Sequence, residues 1–258
     1  MSGWQRYVAL GDSTTEGLED PYPDGRGYRG WADRLAERLA GEAPGLRYAN
    51  LAVRGKLARQ VREEQLAPAL ALKPDLASVL AGLNDTLRRG CDVDAVAGHL
   101  DAMAGALTGA GATVLLFTFP DPVPINPLAR TAAGRLFALN AALREIAARH
   151  GARLADLERH PVASDPRLWH PDRLHANPDG HARIAAAAAQ ALGLPGASDA
   201  WTHPLPAAAA ARRHAALAGD AVWLGRHVAP WVLRRLRGRS SGDGRVAKRP
   251  SLDPVRAA

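Results

Sequence analysis

Tyr7-Val8-Ala9-Leu10 leads directly into Gly11-Asp12-Ser13, and this stretch decides how the rest of the chain is interpreted. Four consecutive apolar residues followed by a glycine predict a short buried β-strand. Ser13 is then expected at the carboxyl end of the first strand, which is where open α/β sheets bind their ligands. A serine in this position also commonly caps the next helix. The tripeptide alone therefore favours a cap, and any catalytic role depends on residues elsewhere.

The same order of elements recurs along the next 180 residues. Short apolar runs predict further strands at 47–51, 76–81, 113–117 and 152–156, and helical periodicity predicts helices at 30–43, 57–71, 93–109, 128–150 and 178–192. Five strand-then-helix units are typical of a parallel sheet covered by helices on both faces. We therefore predict an α/β domain over residues 1–195.

The basic charge of the chain is confined to its C-terminal part. Residues 201–258 carry eleven Arg or Lys and three Asp, whereas the first 200 residues carry 22 basic and 23 acidic side chains. We predict a linker and an amphipathic helical extension over 196–236, and a basic, disordered tail over 237–258. The extension is expected to pack against the domain or a second copy. Contact of the basic residues with a membrane surface or nucleic acid is the alternative, and is not favoured.

Composition also limits the class of protein. The single cysteine, Cys91, cannot form an intrachain disulfide, and no Cys/His cluster has the spacing of a zinc site. No apolar signal segment begins the sequence, and no apolar run is long enough to span a bilayer. We predict a cytoplasmic protein with no metal.

Two glycine-containing motifs lack the context that their functions need. Gly25–Gly30 fits the dinucleotide pattern G-x-G-x-x-G, but a loop precedes it where a strand is required. Gly238–Gly242 fits the nucleophile motif G-x-S-x-G, but it lies in the basic tail without a preceding strand. We therefore treat both as chance matches.

A serine nucleophile needs a base, and the base is best held by a carboxylate. Asp172 and His175 offer both, after the fifth predicted strand and just before the last helix. His170 and His181 could also serve as the base, with His181 ranked lower because it falls within the predicted helix. A metal site built from Asp172, His175 and His181 has no further carboxylate or cysteine to support it.

Acyl transfer also needs donors aimed at the developing oxyanion. Asn84 follows the third predicted strand and could offer its side-chain amide. Gly55 follows the second strand and could bring a backbone N–H close to a substrate without a side chain in the way. A doubly wound sheet would gather these strand ends into one crevice.

This ordered set resembles the SGNH/GDSL hydrolase superfamily, which includes GDSL-like lipases and acylhydrolases. The family's G-D-S, Asn-to-Gly, G-x-N-D and D-x-x-H blocks match Gly11–Ser13, Asn50–Gly55, Gly82–Asp85 and Asp172–His175, within about residues 5–193. Ala176 departs from the proline that many members carry after the histidine.

The resemblance implies a role for each matched residue. Ser13 would be the nucleophile, His175 the general base and then acid, and Asp172 the residue that orients His175. The oxyanion hole would consist of the Ser13 and Gly55 backbone N–H groups with the Asn84 side chain. The implied fold is a flavodoxin-like three-layer α/β/α sandwich with a five-stranded parallel sheet.

The implied function is serine-dependent hydrolysis of a small-molecule or lipid ester, through an acyl-enzyme and without a cofactor. The alternative is a non-catalytic binding or scaffold protein on the same fold, in which the basic C-terminus contacts anionic lipid or nucleic acid. The sequence determines neither the acyl and alcohol groups of the substrate nor the oligomeric state.

Overall fold

Six strands form one sheet in the computed structural model, which describes residues 3–207, 223–230 and 240–255. The strands are Arg6–Gly11 (β1), Arg47–Asn50 (β2), Leu76–Leu80 (β3), Thr113–Phe117 (β4), Arg153–Ala155 (β5) and Arg249–Pro254 (β6). Their order is β5-β4-β3-β1-β2-β6, and β6 alone is antiparallel to its neighbour. The five parallel strands therefore have the flavodoxin-like order 2-1-3-4-5.

Helices cover both faces of this sheet. They are Ser13–Glu16 (α1), Gly30–Glu42 (α2), Ala58–Ala71 (α3), Leu83–Thr86 (α4), Val93–Gly109 (α5), Arg130–His150 (α6) and Pro178–Ala191 (α7). Right-handed crossovers put α2 on one face, because β2 lies on one side of β1, and put α3, α5 and α6 on the other. Helix α7 packs against α2, so it completes the first face.

Aromatic side chains fill the centre of the face that α2 covers. Tyr7 and Tyr48, on neighbouring strands, stack with ring centroids 4.9 Å apart, and Trp31 of α2 meets Phe117 of β4 at 4.6 Å. All four side chains are almost fully buried. Each such ring removes a large apolar area from water, which anchors α2 on the sheet.

The sheet departs from the prediction at one edge. The five parallel strands and the helices around them are confirmed to within two residues at each end, but the sheet has a sixth strand. Residues 240–255, predicted to be disordered, form a turn and then β6, which pairs with β2 from Arg47↔Pro254 to Asn50↔Arg249. The prediction failed because main-chain pairing with an open sheet edge needs little apolar sequence.

The rest of the C-terminal part is described only in pieces. Residues 196–207 pack on α7, where Arg183 donates to the His203 carbonyl at 2.8 Å and Trp201 is buried. Residues 223–230 are helical, while the remainder of the predicted amphipathic stripe lies outside the described residues. The division at residue 195 stays a prediction. No helix in the described part of the chain is long and apolar enough to cross a membrane.

Candidate active site

Three predicted residues meet at the carboxyl ends of the strands. His175 Nε2 lies 3.0 Å from the Ser13 hydroxyl oxygen, and His175 Nδ1 lies 2.6 Å from Asp172 Oδ2. Both distances are within hydrogen-bonding range. A proton can therefore pass from the hydroxyl to the imidazole while the carboxylate holds the other ring nitrogen.

A closed hairpin presents Asp172 and His175 to the serine. Its ends are joined by a bridge between Trp169 and Ala176, and the His170 N–H donates to the His175 carbonyl at 2.8 Å. Arg173 at the turn has a φ of 58°, a left-handed conformation that is unusual for a residue with a side chain. This conformation brings the aspartate and the histidine, three positions apart, onto one side of the hairpin.

The Asp172 carboxylate is held in its ionised form. Oδ1 accepts from the backbone N–H groups of Leu174 and His175 at 2.9 and 3.0 Å, and Oδ2 accepts from the His175 ring. Burial raises the pKa of Asp172, but the hydrogen bonds and the charge of His175 outweigh it and lower the pKa to about 2. Asp172 is therefore charged at neutral pH.

The turn that carries Ser13 is fixed on both sides. Asp12 caps α1 by accepting from the Thr14 N–H at 3.2 Å, so Ser13 stands at the first position of that helix. The buried Gln65 side chain of α3 pairs with both main-chain groups of Gly11, at 2.9 Å each. These bonds fix the backbone on both sides of Ser13.

Burial also affects Asp12, the residue next to the serine. Burial raises its pKa to about 7, against the opposing effects of hydrogen bonds from Thr14 and Asn84 and the charge of His175. A carboxyl group with this pKa is partly protonated at neutral pH. Protonation removes a negative charge that would oppose an oxyanion forming beside Ser13.

Two backbone N–H groups are predicted as oxyanion donors. Within residues 3–207, 223–230 and 240–255, neither the Ser13 N–H nor the Gly55 N–H donates a hydrogen bond. Gly55 has a φ of 75°, so the loop after β2 turns there in a conformation that glycine adopts without strain. The predicted donors at these two positions are thus free of protein partners in the described part of the chain.

Asn84 is present at the site, but its amide is already engaged. Its Nδ2 donates to Asp12 Oδ2 at 3.0 Å and to the Lys56 carbonyl at 3.1 Å. An amide nitrogen carries only two hydrogens, so donation to a substrate requires one of these bonds to give way. The bonds place Asn84 between the serine turn and the Gly55 loop, and its role as an oxyanion donor stays a prediction.

The two other histidines considered as bases have different surroundings. His181 is fully buried, accepts from the Trp31 N–H at 3.2 Å through Nδ1, and donates to the Leu18 carbonyl at 2.9 Å through Nε2. Both of its nitrogens therefore serve the backbone. His170 lies 3.3 Å from Glu19 and accepts from the Asp172 N–H at 3.3 Å. Neither histidine contacts Ser13 as His175 does.

Burial makes His181 a source of acid sensitivity. It lowers the pKa of His181 to about 4 from the usual 6.5, although the bond to Leu18 raises it. Since the folded pKa is depressed, the unfolded chain binds the proton more tightly, and stability falls as pH drops from about 6.5 towards 4. We expect the stability difference between the wild type and His181→Gln to shrink by on the order of 3 kcal/mol across this range.

Urea unfolding of the two proteins at pH 7.5 and pH 4.5 measures this difference. His203→Gln, at an exposed histidine, is the matched control and should show the same pH dependence as the wild type. A constant difference between wild type and His181→Gln at the two pH values would contradict the expectation.

One group of side chains in the described residues could hold a cation. Glu19, His170 and Asp172 offer ligand atoms within 4.8 Å of one another. This differs from the group considered in the sequence, because His181 uses both nitrogens on the backbone. Within the group, His170 Nδ1 already accepts from the Asp172 N–H, and Asp172 Oδ2 already bonds His175. A cation would therefore compete with the contacts that orient His175.

Sequence reasoning missed two residues that support this site. Gln65 is a polar residue within the buried stripe of α3 formed by Ala58, Val61 and Ala69, and that mismatch was its signal. Glu16 lies three residues after Ser13 and accepts from the Arg54 N–H at 2.8 Å.

The Gly25–Gly30 motif, in contrast, is part of a loop in which the Tyr22 N–H donates to the Gly27 carbonyl at 2.8 Å.

Known proteins share this architecture. A model of the GDSL-like lipase/acylhydrolase family matches residues 9–183. LAE5, an alpha/beta hydrolase from the metagenome of Lake Arreo in Spain, is 25% identical, with a TM-score of 0.60 over 73% of this chain and 95% of LAE5. TesA is 23% identical, with a TM-score of 0.60 over 73% of this chain and 98% of TesA. No curated protein gives a significant match.

An acetylxylan esterase from Geobacillus stearothermophilus, Axe2, has the same fold. One Axe2 structure is 18% identical, with a TM-score of 0.62 over 76% of this chain and 97% of Axe2. Three Axe2 structures are described as catalytic mutants, in which a histidine, an aspartate and a serine are each replaced by alanine.

Proposed function

The chain belongs to the GDSL-like lipase/acylhydrolase family and is a carboxylic ester hydrolase of the SGNH/GDSL type, and we propose that Ser13, His175 and Asp172 carry out the hydrolysis. The observation that supports the assignment is the continuous series of contacts, 3.0 Å from Ser13 to His175 and 2.6 Å from His175 to Asp172. Axe2 has catalytic mutants at the same three residue types.

In the first half of the reaction, the Ser13 hydroxyl oxygen attacks the ester carbonyl. His175 Nε2 takes the hydroxyl proton and then gives it to the departing alcohol, which leaves an acyl group on Ser13. Asp172 keeps the Nδ1 proton in place and stabilises the imidazolium that forms. In the second half, His175 takes a proton from water, the resulting hydroxide attacks the acyl-enzyme, and Ser13 recovers its proton as the acid leaves.

Each tetrahedral intermediate carries a negative oxygen that needs hydrogen-bond donors. We assign this role to the backbone N–H groups of Ser13 and Gly55, and to the Asn84 amide once it exchanges a protein acceptor for the substrate. Loss of one such donor typically slows an acyl-transfer enzyme by about 10²- to 10³-fold. Because protonation of Asp12 removes a charge next to Asn84, it supports donation by the amide to the substrate.

A fluorophosphonate probe tests the proposal directly, since it reacts with an activated serine. We expect one phosphonyl group per chain, found by mass spectrometry on the peptide that contains Ser13. His175→Ala should lose the labelling because the hydroxyl loses its base, while His203→Ala should label like the wild type. Absence of labelling in the wild type would contradict the proposal and favour a non-catalytic binding protein on this fold.

The substrate is proposed only as a small-molecule or lipid ester. Turnover of p-nitrophenyl esters from acetate to decanoate, together with an acetylated sugar, would define the acyl and alcohol groups. Acetylated xylan belongs in this panel because Axe2 is an acetylxylan esterase.

A further inference from the structure

The C-terminal residues 240–255 lie against the loop that carries Gly55. They are joined to the domain by β6, which pairs with β2, and by Ser240, whose hydroxyl lies 3.4 Å from the Gly55 carbonyl oxygen. The match to the family model ends at residue 183, so this segment lies beyond the matched part of the chain. A segment beyond the matched residues thus contacts the residue whose N–H is one of the two backbone donors assigned to the oxyanion hole.

The contact between the two segments leaves no room for side chains. A Cβ added to Gly242 would lie 2.1 Å from the Arg54 carbonyl oxygen, and one added to Gly55 would lie 2.3 Å from the Ser240 hydroxyl oxygen. At Gly242 the neighbouring atom belongs to the backbone, so a Cβ there would force one backbone to move, whereas at Gly55 the Ser240 side chain would have to turn away. The position of the turn and the position of the Gly55 loop therefore depend on each other.

The turn Ser240–Asp243 is held together by hydrogen bonds of its own. The Ser240 N–H donates to Asp243 Oδ2 at 2.8 Å, and the Gly242 N–H donates to the Ser240 hydroxyl oxygen at 3.2 Å. Local side-chain bonds of this kind stabilise a turn independently of its neighbours. The loop thus packs against a turn that has internal support.

Lys248 fixes the segment at a second point. Its ammonium group donates to the carbonyl oxygens of Tyr28 and Arg29 at 2.9 Å each, and lies 2.9 Å from Asp33 Oδ1. Burial lowers the pKa of Lys248, against the raising effect of Asp33. A charged group in a buried position is retained only where it is paired and hydrogen-bonded, as it is here.

The opposite side of the loop is attached to the helix that begins at Ser13. Glu16 accepts from the Arg54 N–H at 2.8 Å and from Arg54 Nε at 3.0 Å. Lys56, on the other side of Gly55, accepts from Asn84 at 3.1 Å. The residues before and after Gly55 are therefore bound to the other parts of the site, while the Ser240–Asp243 turn closes the outer side.

We propose that the turn Ser240–Asp243 is a positioning element of the oxyanion hole, which fixes the Gly55 N–H in the orientation that stabilises the tetrahedral intermediate. The proposal rests on the proposed function, since it assigns the turn to the same site. The turn acts through Gly55 and does not touch the reacting atoms. Donor placement of this kind has large kinetic effects, because a displacement of about 1 Å can reduce the rate about 100-fold.

Gly242→Ala in the full chain tests the proposal, with Gly90→Ala as the matched control. A Cβ at Gly242 must displace the turn or the loop, whereas a Cβ at Gly90 meets nothing within 4 Å. We expect Gly242→Ala to lower kcat by about 10- to 100-fold with little change in KM, and Gly90→Ala to behave as the wild type.

Inhibition by phenylboronic acid separates positioning from general loss of structure. The boronic acid forms a tetrahedral adduct with the serine, and its affinity should fall by the same factor as kcat/KM in Gly242→Ala, with an unchanged pH profile. Ser240→Ala, which removes only the hydroxyl contacts, should give a smaller loss in the same direction, and it remains informative if Gly242→Ala does not fold.

The proposal would be overturned if both variants had the same kcat and the same boronate affinity as the wild type. A fall in melting temperature that leaves the kinetics of the folded fraction unchanged would also overturn it. Failure of the proposed function would look different, because the wild-type chain itself would neither hydrolyse esters nor accept the fluorophosphonate.

Discussion

Ser13→Ala is expected to reduce the turnover of a short-chain p-nitrophenyl ester by at least about 10⁴-fold while leaving the fold intact. The substitution removes the only atom that forms the covalent bond to the acyl group, and leaves water as a poorly placed nucleophile. The methyl side chain fits the position, since Ser13 is nearly buried at the start of α1 and its backbone is held by the Asp12 cap and by Gln65 through Gly11.

Steady-state kinetics and circular dichroism on the purified variant measure both parts of this expectation. Ser198→Ala, at an exposed helix-capping serine, is the control for the loss of a serine hydroxyl. Retention of full activity in Ser13→Ala would show that another residue is the nucleophile.

Asp172→Asn is expected to lower kcat by about 10³- to 10⁴-fold, because it reverses the proton arrangement of His175. An asparagine keeps one oxygen for the backbone N–H groups of Leu174 and His175, but it presents an N–H to His175 Nδ1. The ring then carries its proton on Nε2, which faces Ser13 and can no longer accept the hydroxyl proton.

The pH dependence of stability provides a second measure of Asp172. Its folded pKa, about 2, lies below the usual value of 3.8, so it stabilises the fold above pH 3.8, and this stabilisation is lost as pH falls towards 2. Asp172→Asn should lack this component. For kcat, the control is Asp165→Asn at a capping aspartate on a nearby turn, and equal loss of kcat in both variants would contradict the specific role of Asp172.

The sequence predicts the central sheet well because its signals are local. Apolar runs such as Thr113–Phe117 are short and bounded by turns, and the helix Val93–Gly109 begins and ends where its periodicity does. The positions of the polar residues directly after successive strands also predict that these residues lie close together, since parallel strands end at one edge of the sheet.

Other features depend on contacts that no local pattern carries. The strand Arg249–Pro254 contains two prolines and is only partly apolar, so nothing in its composition indicates a strand. The engagement of Asn84 by Asp12 and Lys56 depends on side-chain geometry across three loops. The effect of burial on Asp12 likewise arises only when the whole chain surrounds it.

The pairing of β6 with β2 also determines the order in which the strands of the sheet can pair. Arg47 and Leu252, which share a hydrogen bond across this pair, are 205 positions apart in the chain. Synthesis proceeds from the N-terminus, so the five parallel strands are made before β6 and can assemble while β2 is still an open edge. Such an edge presents unpaired main-chain groups to neighbouring molecules. Until residues 249–254 pair with β2, the nascent domain is therefore exposed to edge-to-edge aggregation. Pairing of the last strand covers the β2 edge and removes this exposure.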